Sequence, residues 1–321
     1  MPSGEDDLIA KYFKPLATDA GALGLVDDAA VLAATADDLV LTTDAVVEGV
    51  HFLPDDPPHT IARKALLVNL SDLAAKGATP AGFLLTLALR SADPAFLEPF
   101  AAALGADAAS YCCPLLGGDT VSTPGPLMVS VTAFGRVPPG RMVRRDRLRA
   151  GDLIVVSGTI GDAAFGLDVL QGRLKDLAPD HQAFLIDRYR QPQPRSALAV
   201  AVRDHAGAAM DVSDGLAGDL AKMCAASGVS AVIDAAAVPL SAAARAALRP
   251  AGLARLLSGG DDYEILCGVA AKAIDSFKAA AAAAGVPVTV IGTATEGTAP
   301  PQFLDSDQRP IALNRTSFSH F

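Results

Sequence analysis

Val137-Pro138-Pro139-Gly140, followed at once by Arg141, Arg144, Arg145, Arg147 and Arg149, punctuates this chain more strongly than any other stretch. Proline fixes φ and removes a backbone donor, and a Pro-Gly step favours a turn, so neither helix nor strand runs through it. A fresh apolar run of strand length, 152–157, begins just beyond. With 321 residues the chain is also long for one core, since single cores stop growing at about 250–300 residues. The sequence therefore predicts two domains, 1–140 and 141–321.

On the N-terminal side, residues 5–13 read as a short helix, and 29–32 and 39–43 as apolar, β-branched strands. Residues 61–76 have helical periodicity, with Ile61, Ala65, Val68 and Asp72 near one face. Strand 83–89, helix 94–111 with Pro at its first turn, and strand 127–136 follow. On the C-terminal side, helices are expected at 162–171, 180–190, 196–205, 215–227, 241–248 and 273–284. Strands are expected at 152–157, up to Asp211, and at 229–234, 263–269 and 288–292. Helices and strands mix without clean alternation, which predicts an α+β fold with mixed or antiparallel sheets. Gly-Gly-Asp occurs at 117–119 and 259–261, and Ser-Asp precedes Ala-rich stretches at 71 and 213. Related architecture in both domains and chance explain this equally well.

Composition narrows the class. The apolar fraction is 51%, charged residues are 19% and Trp is absent, a packed globular composition. A net charge of -10 argues against nucleic-acid or anionic-membrane partners. The arginine run is the exception, readable as a solvated face or as an anion site. There is no long apolar stretch, and Glu5, Asp6 and Asp7 stand where a signal peptide needs positive charge, so a cytoplasmic location is expected. Cys112, Cys113, Cys224 and Cys267 show no metal-finger spacing and are expected as reduced, buried thiols.

Aspartates beside small residues, where expected strands run out, point to chemistry. They stand at Asp27-Asp28, Thr42-Thr43-Asp44, Ser71-Asp72, Gly117-Gly118-Asp119, Asp211-Val212-Ser213-Asp214-Gly215 and Gly259-Gly260-Asp261-Asp262. Magnesium binds through a few carboxylates plus water and substrate phosphates, so this is a magnesium-nucleotide pattern. Asp-Gly is also ordinary turn chemistry. No GxxxxGK[ST] or GxGxxG motif is present, so phosphate charge would be neutralised by aspartate-held metal and by arginine. Asp72 continues an apolar face and needs a partner or a metal there. In Asp211 to Leu216 a strand end meets a helix start, where backbone amides attract phosphate and Ser213 or Asp214 is the expected N-cap. A lone His51 reads first as a hydrogen-bonded structural residue.

Taken in order, these motifs resemble the thiamine-monophosphate kinase family of the aminoimidazole ribonucleotide synthetase-like superfamily. The carriers begin with Gly4-Glu5, Leu8 to Phe13, Asp27-Asp28-Ala29-Ala30, Thr42-Thr43-Asp44, Val50-His51-Phe52-Leu53-Pro54 and Lys64 to Ala75. Gly117 to Thr120, Gly140-Arg141 with Arg145, Gly151-Asp152, Asp211 to Leu216, Ser258 to Glu264 and His320-Phe321 complete the set, nearly end to end.

The resemblance implies a two-domain α+β kinase, a homodimer through its N-terminal domain, which carries ATP and metal sites that the C-terminal domain completes. It would transfer the γ-phosphate of ATP directly to thiamine monophosphate. Asp28, Thr42, Thr43, Asp44, Asp72, Asp119, Asp211 and Asp214 would hold several Mg2+ ions. Tyr111, Gly118, Asp119, Arg145 and Ser213 would contact ATP, and His51, Asp261 and Arg315 the substrate, with Arg145 and Asp214 acting in catalysis. The chain departs from the family pattern at Asp261, where Glu is commoner, and in its tail, where Phe318 or Arg315 replaces the usual aromatic partner of thiamine. A sister selenophosphate synthetase would need a reactive Cys near the N-terminus, whereas the first here is Cys112. A thiamine-phosphate sensor without turnover is the non-enzymatic alternative.

Overall fold

The computed structural model describes residues 7–248 and 252–313. Its contacts divide the chain into two units, Met1–Leu73 with Ala78–Gly140, and Ala74–Gly77 with Arg141–Phe321.

The N-terminal unit contains β1 (Asp38–Val47), α1 (Pro58–Ala75), β2 (Thr79–Leu89), α2 (Pro94–Ser110), β3 (Leu115–Ser122) and β4 (Met128–Val137). Sheet order is β1-β4-β2-β3, with β4 antiparallel to β1 and β2, and β2 parallel to β3. Strand β4 alternates strictly: Val129, Val131, Ala133, Gly135 and Val137 are buried, and the residues between them are half-buried. Leu66, Leu70 and Leu73 of α1 and Phe100 and Leu104 of α2 join that buried face in one core, each such side chain contributing about 1.5–3 kcal/mol of transfer free energy. Helix α2 starts where Asp93 accepts the Ala95 N–H at 2.9 Å and Pro94 fixes the first turn.

Three local expectations differ from the structure. Residues 29–32 form no strand; the Val31 N–H bonds the Gly21 carbonyl at 2.8 Å, a single loop contact, and no neighbouring ladder supports the apolar run. Gly117-Gly118-Asp119, read as following a strand, lies inside β3, where Gly118 pairs with Leu85 and Asp119 with Thr86. A Cβ on Gly118 would stand 1.9 Å from the Leu85 carbonyl oxygen, so glycine is what permits this close pairing. Thr42 to Asp44 likewise lie inside β1, not at its end.

The C-terminal unit contains β5 (Leu153–Ser157), α3 (Asp162–Leu170), α4 (Pro179–Arg190), α5 (Ala199–His205), β6 (Ala206–Asp211), α6 (Leu216–Ser227) and β7 (Ser230–Asp234). It continues with α7 (Ala242–Ala247), α8 (Gly252–Ser258), β8 (Ile265–Val269), α9 (Ile274–Ala283), β9 (Val288–Thr295) and β10 (Gln302–Leu304). Its sheet runs β10-β7-β9-β5-β8-β6, antiparallel except for the β10–β7 pair. Both faces are covered. Leu266 of β8 packs into one apolar cluster, while Ile265, Cys267 and Val269 pack into another. This is why β8 reads as an unbroken apolar run. Both sheets are mixed, giving the α+β class.

Burial pushes the thiols of Cys113 and Cys267 up to about 12 and that of Cys224 to about 11. Cys112 departs from expectation: it is exposed, because it sits just past α2 with φ 50°. Arg315, Phe318 and His320 lie outside the described residues.

Candidate functional site

Alternation along β1 sorts its polar residues. Thr42 and Asp44 share the face of Val40 and Val46, whereas Thr43 falls on the face of Leu39 and Leu41. On the first face the Thr42 hydroxyl donates to Asp72 Oδ2 at 2.5 Å, and the Asp44 N–H donates to Asn69 Oδ1 at 3.0 Å. Asn69 and Asp72 are three apart on α1, so one helix face serves both. Asp72 is half-buried there with a hydroxyl partner. On the opposite face Thr43 bonds the Val131 carbonyl and Thr132 Oγ1, each at 3.1 Å.

That second face carries a groove of about 720 Å³. Asp27, Asp28, Gly118, Asp119 and Thr132 border it, over a floor that includes Phe134. Asp28 and Asp119, far apart in sequence, thus face one space, and Thr43 adjoins it through Thr132. β3 is an edge strand, leaving one row of backbone groups outside the ladder. Tyr111 does not line this groove; it ends α2, donates its N–H to the Asp107 carbonyl at 2.9 Å and packs against the core.

His51 sits in the turn after β1. The Val47 N–H donates to its Nδ1 at 3.0 Å, and Lys64 Nζ donates to its carbonyl at 2.7 Å. With Nδ1 accepting, the neutral ring carries its proton on Nε2.

In the C-terminal unit Asp211 is buried at the end of β6. The chain then turns through Gly215, whose φ of 116° and close approach to the Ser258 carbonyl, 2.9 Å from a would-be Cβ, exclude a side chain. The N-cap of α6 is Gly215, with no side-chain cap, so the expected capping by Ser213 or Asp214 is not what forms. The polarity is reversed: Asp219, fully buried in the first turn of α6, accepts the N–H groups of Ser213 at 3.0 Å and Asp214 at 2.9 Å. Burial pushes the Asp219 carboxyl up, against the lowering effect of its hydrogen bond to Lys222. Lys222 Nζ donates to Asp219 Oδ1 at 2.9 Å and to Asp214 Oδ2 at 2.5 Å.

The second Gly-Gly-Asp segment packs on this turn. Asp261 donates its N–H to the Ser213 carbonyl at 2.8 Å, and Tyr263 donates its N–H to that of Val212 at 2.9 Å. The backbone of Asp261 is therefore joined to that of Ser213, between Asp211 and Asp214 in the chain. Asp261 adopts φ 72° and its carboxylate accepts the Tyr263 hydroxyl at 3.3 Å. Asp262 turns inward, taking the Gly161 N–H on both oxygens at 2.9 and 2.8 Å, and burial raises its carboxyl well above the ordinary range.

Beside it lies a network that sequence reasoning missed. Glu264, fully buried, accepts Ser157 Oγ at 2.6 Å, Arg188 Nη2 at 3.0 Å and Arg195 Nε at 2.6 Å. The available signal was a Glu opening an otherwise apolar strand. Arg145 lies in the short helical turn Arg145–Arg147, packed beside α6 and β6, and its carbonyl accepts Ser227 Oγ at 3.0 Å. Arg144 is held by Asp146 at 2.9 and 2.6 Å and Arg141 by Asp204 at 3.0 Å. The exposed Arg145 guanidinium has no ion-pair partner among the described residues.

Among the described residues no three His, Cys, Asp or Glu side chains form a metal cage. The carboxylates instead come singly or in pairs beside hydroxyls: Asp72 with Thr42, Asp28 with Asp119 across the groove, Asp211 and Asp214 around Ser213. Such a donor set fits magnesium, which keeps its waters and shares substrate phosphates, better than a metal needing a closed cage.

Comparison with known proteins agrees in both units. Residues 26–137 match the N-terminal domain, and 149–300 the C-terminal domain, of the AIR synthase related protein family. The thiamine-monophosphate kinase of Caulobacter vibrioides is 46% identical over 304 residues, spanning 92% of this chain and 85% of that protein. A crystal structure of thiamine-monophosphate kinase from Stenotrophomonas maltophilia superposes with a TM-score of 0.82 at 40% identity, covering 93% of this chain and 94% of that one. A structure described as AaThiL complexed with AMPPCP and TMP gives a TM-score of 0.79 at 29% identity, covering 94% and 97%. The chain belongs to the AIR synthase related family and, within it, to the thiamine-monophosphate kinases.

Proposed function

We propose that this chain transfers the γ-phosphoryl group of ATP to the phosphate of thiamine monophosphate, forming thiamine diphosphate and ADP. The observation that carries this reading is the near full-length likeness to AaThiL in complex with AMPPCP and TMP. The acceptor is a phosphate oxygen and needs no base to activate it, so catalysis rests on alignment and charge neutralisation. We assign no catalytic base.

Asp28 and Asp119 on the groove face, Thr42 and Asp44 on the helix-facing side of β1 with Asp72 of α1, and Asp211 with Asp214 in the second unit would hold Mg2+. Thr43, on the opposite face from Thr42, would join the groove set. When bound, Mg2+ neutralises phosphate charge and polarises the phosphoryl group. Gly118, Asp119 and Ser213 would contact ATP with Tyr111 at the periphery, and Arg145, which has no ion-pair partner among the described residues, would add positive charge at the transferring group. Asp261, displayed at positive φ, and His51, through Nε2, would face the thiamine phosphate, together with Arg315.

Assembly as a homodimer through the N-terminal unit is part of this reading. Its support is Leu41 of β1, which is 59% exposed and, unlike Leu39 on the same face, does not line the groove. No described helix is long and apolar enough to cross a membrane, and we assign a cytoplasmic location.

The test is direct. Purified protein with Mg-ATP and thiamine monophosphate is expected to yield thiamine diphosphate and ADP, with EDTA abolishing both. Absence of thiamine diphosphate under these conditions would refute the assignment.

A further inference from the structure

We propose that Lys222 is a positioning residue that holds the Asp214 carboxylate in the metal-free protein and competes for it with the incoming divalent cation. The inference rests on the reading of Asp214 as a magnesium ligand.

The geometry has a fixed end and a releasable end. Asp219 is fully buried and braces the Ser213-Asp214 turn through two backbone N–H groups. Lys222, one turn further along α6, is tied to Asp219 Oδ1 at 2.9 Å. The same ammonium reaches Asp214 Oδ2 at 2.5 Å, and there both side chains are partly solvent-exposed, 42% for Lys222 and 36% for Asp214. An ammonium has three donors and serves both carboxylates at once. If a cation takes Asp214, Lys222 stays paired with Asp219, so no buried charge is left without a partner. The Asp214 contact is the releasable one, because Asp214 can be taken up by water or a cation whereas Asp219 is fully buried. Close carboxylates also repel one another without a cation, so Lys222 supplies the charge that keeps Asp214 near Asp219 when no metal is present.

Two effects of removing Lys222 then run in opposite directions. The metal-free turn loses its counter-charge and loosens, while the divalent cation loses its competitor and binds more tightly. A lysine with only a structural role would give the first effect and not the second.

The test uses the full chain as wild type, Lys222→Met, Lys222→Gln and Lys222→Arg. Mg2+ titrations in the presence of a non-hydrolysable ATP analogue, followed by calorimetry, are paired with thermal melts in EDTA. Lys222→Met is expected to lower the half-saturating Mg2+ concentration about two- to fivefold, the range open to a partly exposed pair, and to melt earlier in EDTA. Lys222→Gln, which retains a hydrogen-bond donor without charge, should show the same tightening even if Lys222→Met fails to fold. Lys222→Arg should stay close to wild type. Unchanged or weaker Mg2+ binding in the neutral variants overturns the inference while leaving the kinase reading intact. Wild-type protein that binds the analogue without any Mg2+ dependence overturns the magnesium reading of Asp214, and the inference with it.

Discussion

Gly-Gly-Asp is written at 117–119 and again at 259–261, yet in the first unit it is a strand and in the second a loop. Both glycine pairs allow a close backbone approach: a Cβ would stand 1.9 Å from the Leu85 oxygen at Gly118, and 2.4 Å from the Ser213 oxygen at Gly260. What differs is the neighbour. Gly118 meets a parallel strand and extends, so Asp119 projects from a sheet edge over the groove. Gly260 meets a turn, and the chain after it passes through φ 72° at Asp261 before Asp262 and Glu264 dive into the core. Identical residues are thus given different conformations by what they pack against, and the second copy is pinned from behind by buried charge while the first is pinned by its ladder.

The comparison breaks hardest at Glu264. Glu264→Leu would strand Arg188 and Arg195 without their shared carboxylate, and we expect a loss of about 3–5 kcal/mol in denaturant unfolding of the second unit. A loss below about 1 kcal/mol would show that the pinning is not electrostatic. Next comes Asp119→Asn: Asp119 is exposed and braces nothing among the described residues, so turnover should fall by roughly a hundredfold, equivalent to about 2.7 kcal/mol. Stability should stay within about 0.5 kcal/mol, as a melt alongside the assay would report. Gly118→Ala and Gly260→Ala should each cost about 1–3 kcal/mol by overpacking; a neutral result at either would mean that its backbone neighbour can retreat.

The smallest effect concerns pH. Burial raises Asp262 well above, and Asp162 above, the ordinary carboxylate range. The folded chain therefore keeps protons that the unfolded chain has released, and stability must fall as pH rises from the ordinary carboxylate range through the raised values. Asp262→Asn removes one such proton, so its melting temperature should depend less steeply on pH than that of the wild type. A parallel pair of pH profiles would contradict the role of that carboxyl.

Much of this architecture was legible in the sequence. Strand β4 ends at Val137, where the Pro-Pro-Gly stop begins, and α1 spans Pro58–Ala75 against the expected 61–76, although it is buried on nearly every side instead of on one apolar face. β3 was not legible, because its centre is two glycines and an aspartate, and only pairing with β2 makes them a strand. Residues 29–32 failed in the opposite sense, with strand-like side chains and no ladder to join. In the site, period two alone could have separated Thr43 from Thr42 and Asp44. Asp219 and Lys222 look like ordinary helix-surface charges in sequence, and their service to the preceding turn emerges only when α6 and the Ser213-Asp214 turn are seen together.

The central claim is direct phosphoryl transfer between two phosphates. ATP labelled in its γ-phosphate, incubated with this protein, Mg2+ and unlabelled thiamine monophosphate, tests it in one experiment. The account predicts label in the terminal phosphate of thiamine diphosphate, with ADP formed in equal amount. Label appearing as inorganic phosphate, or ADP release that does not depend on thiamine monophosphate, would contradict it.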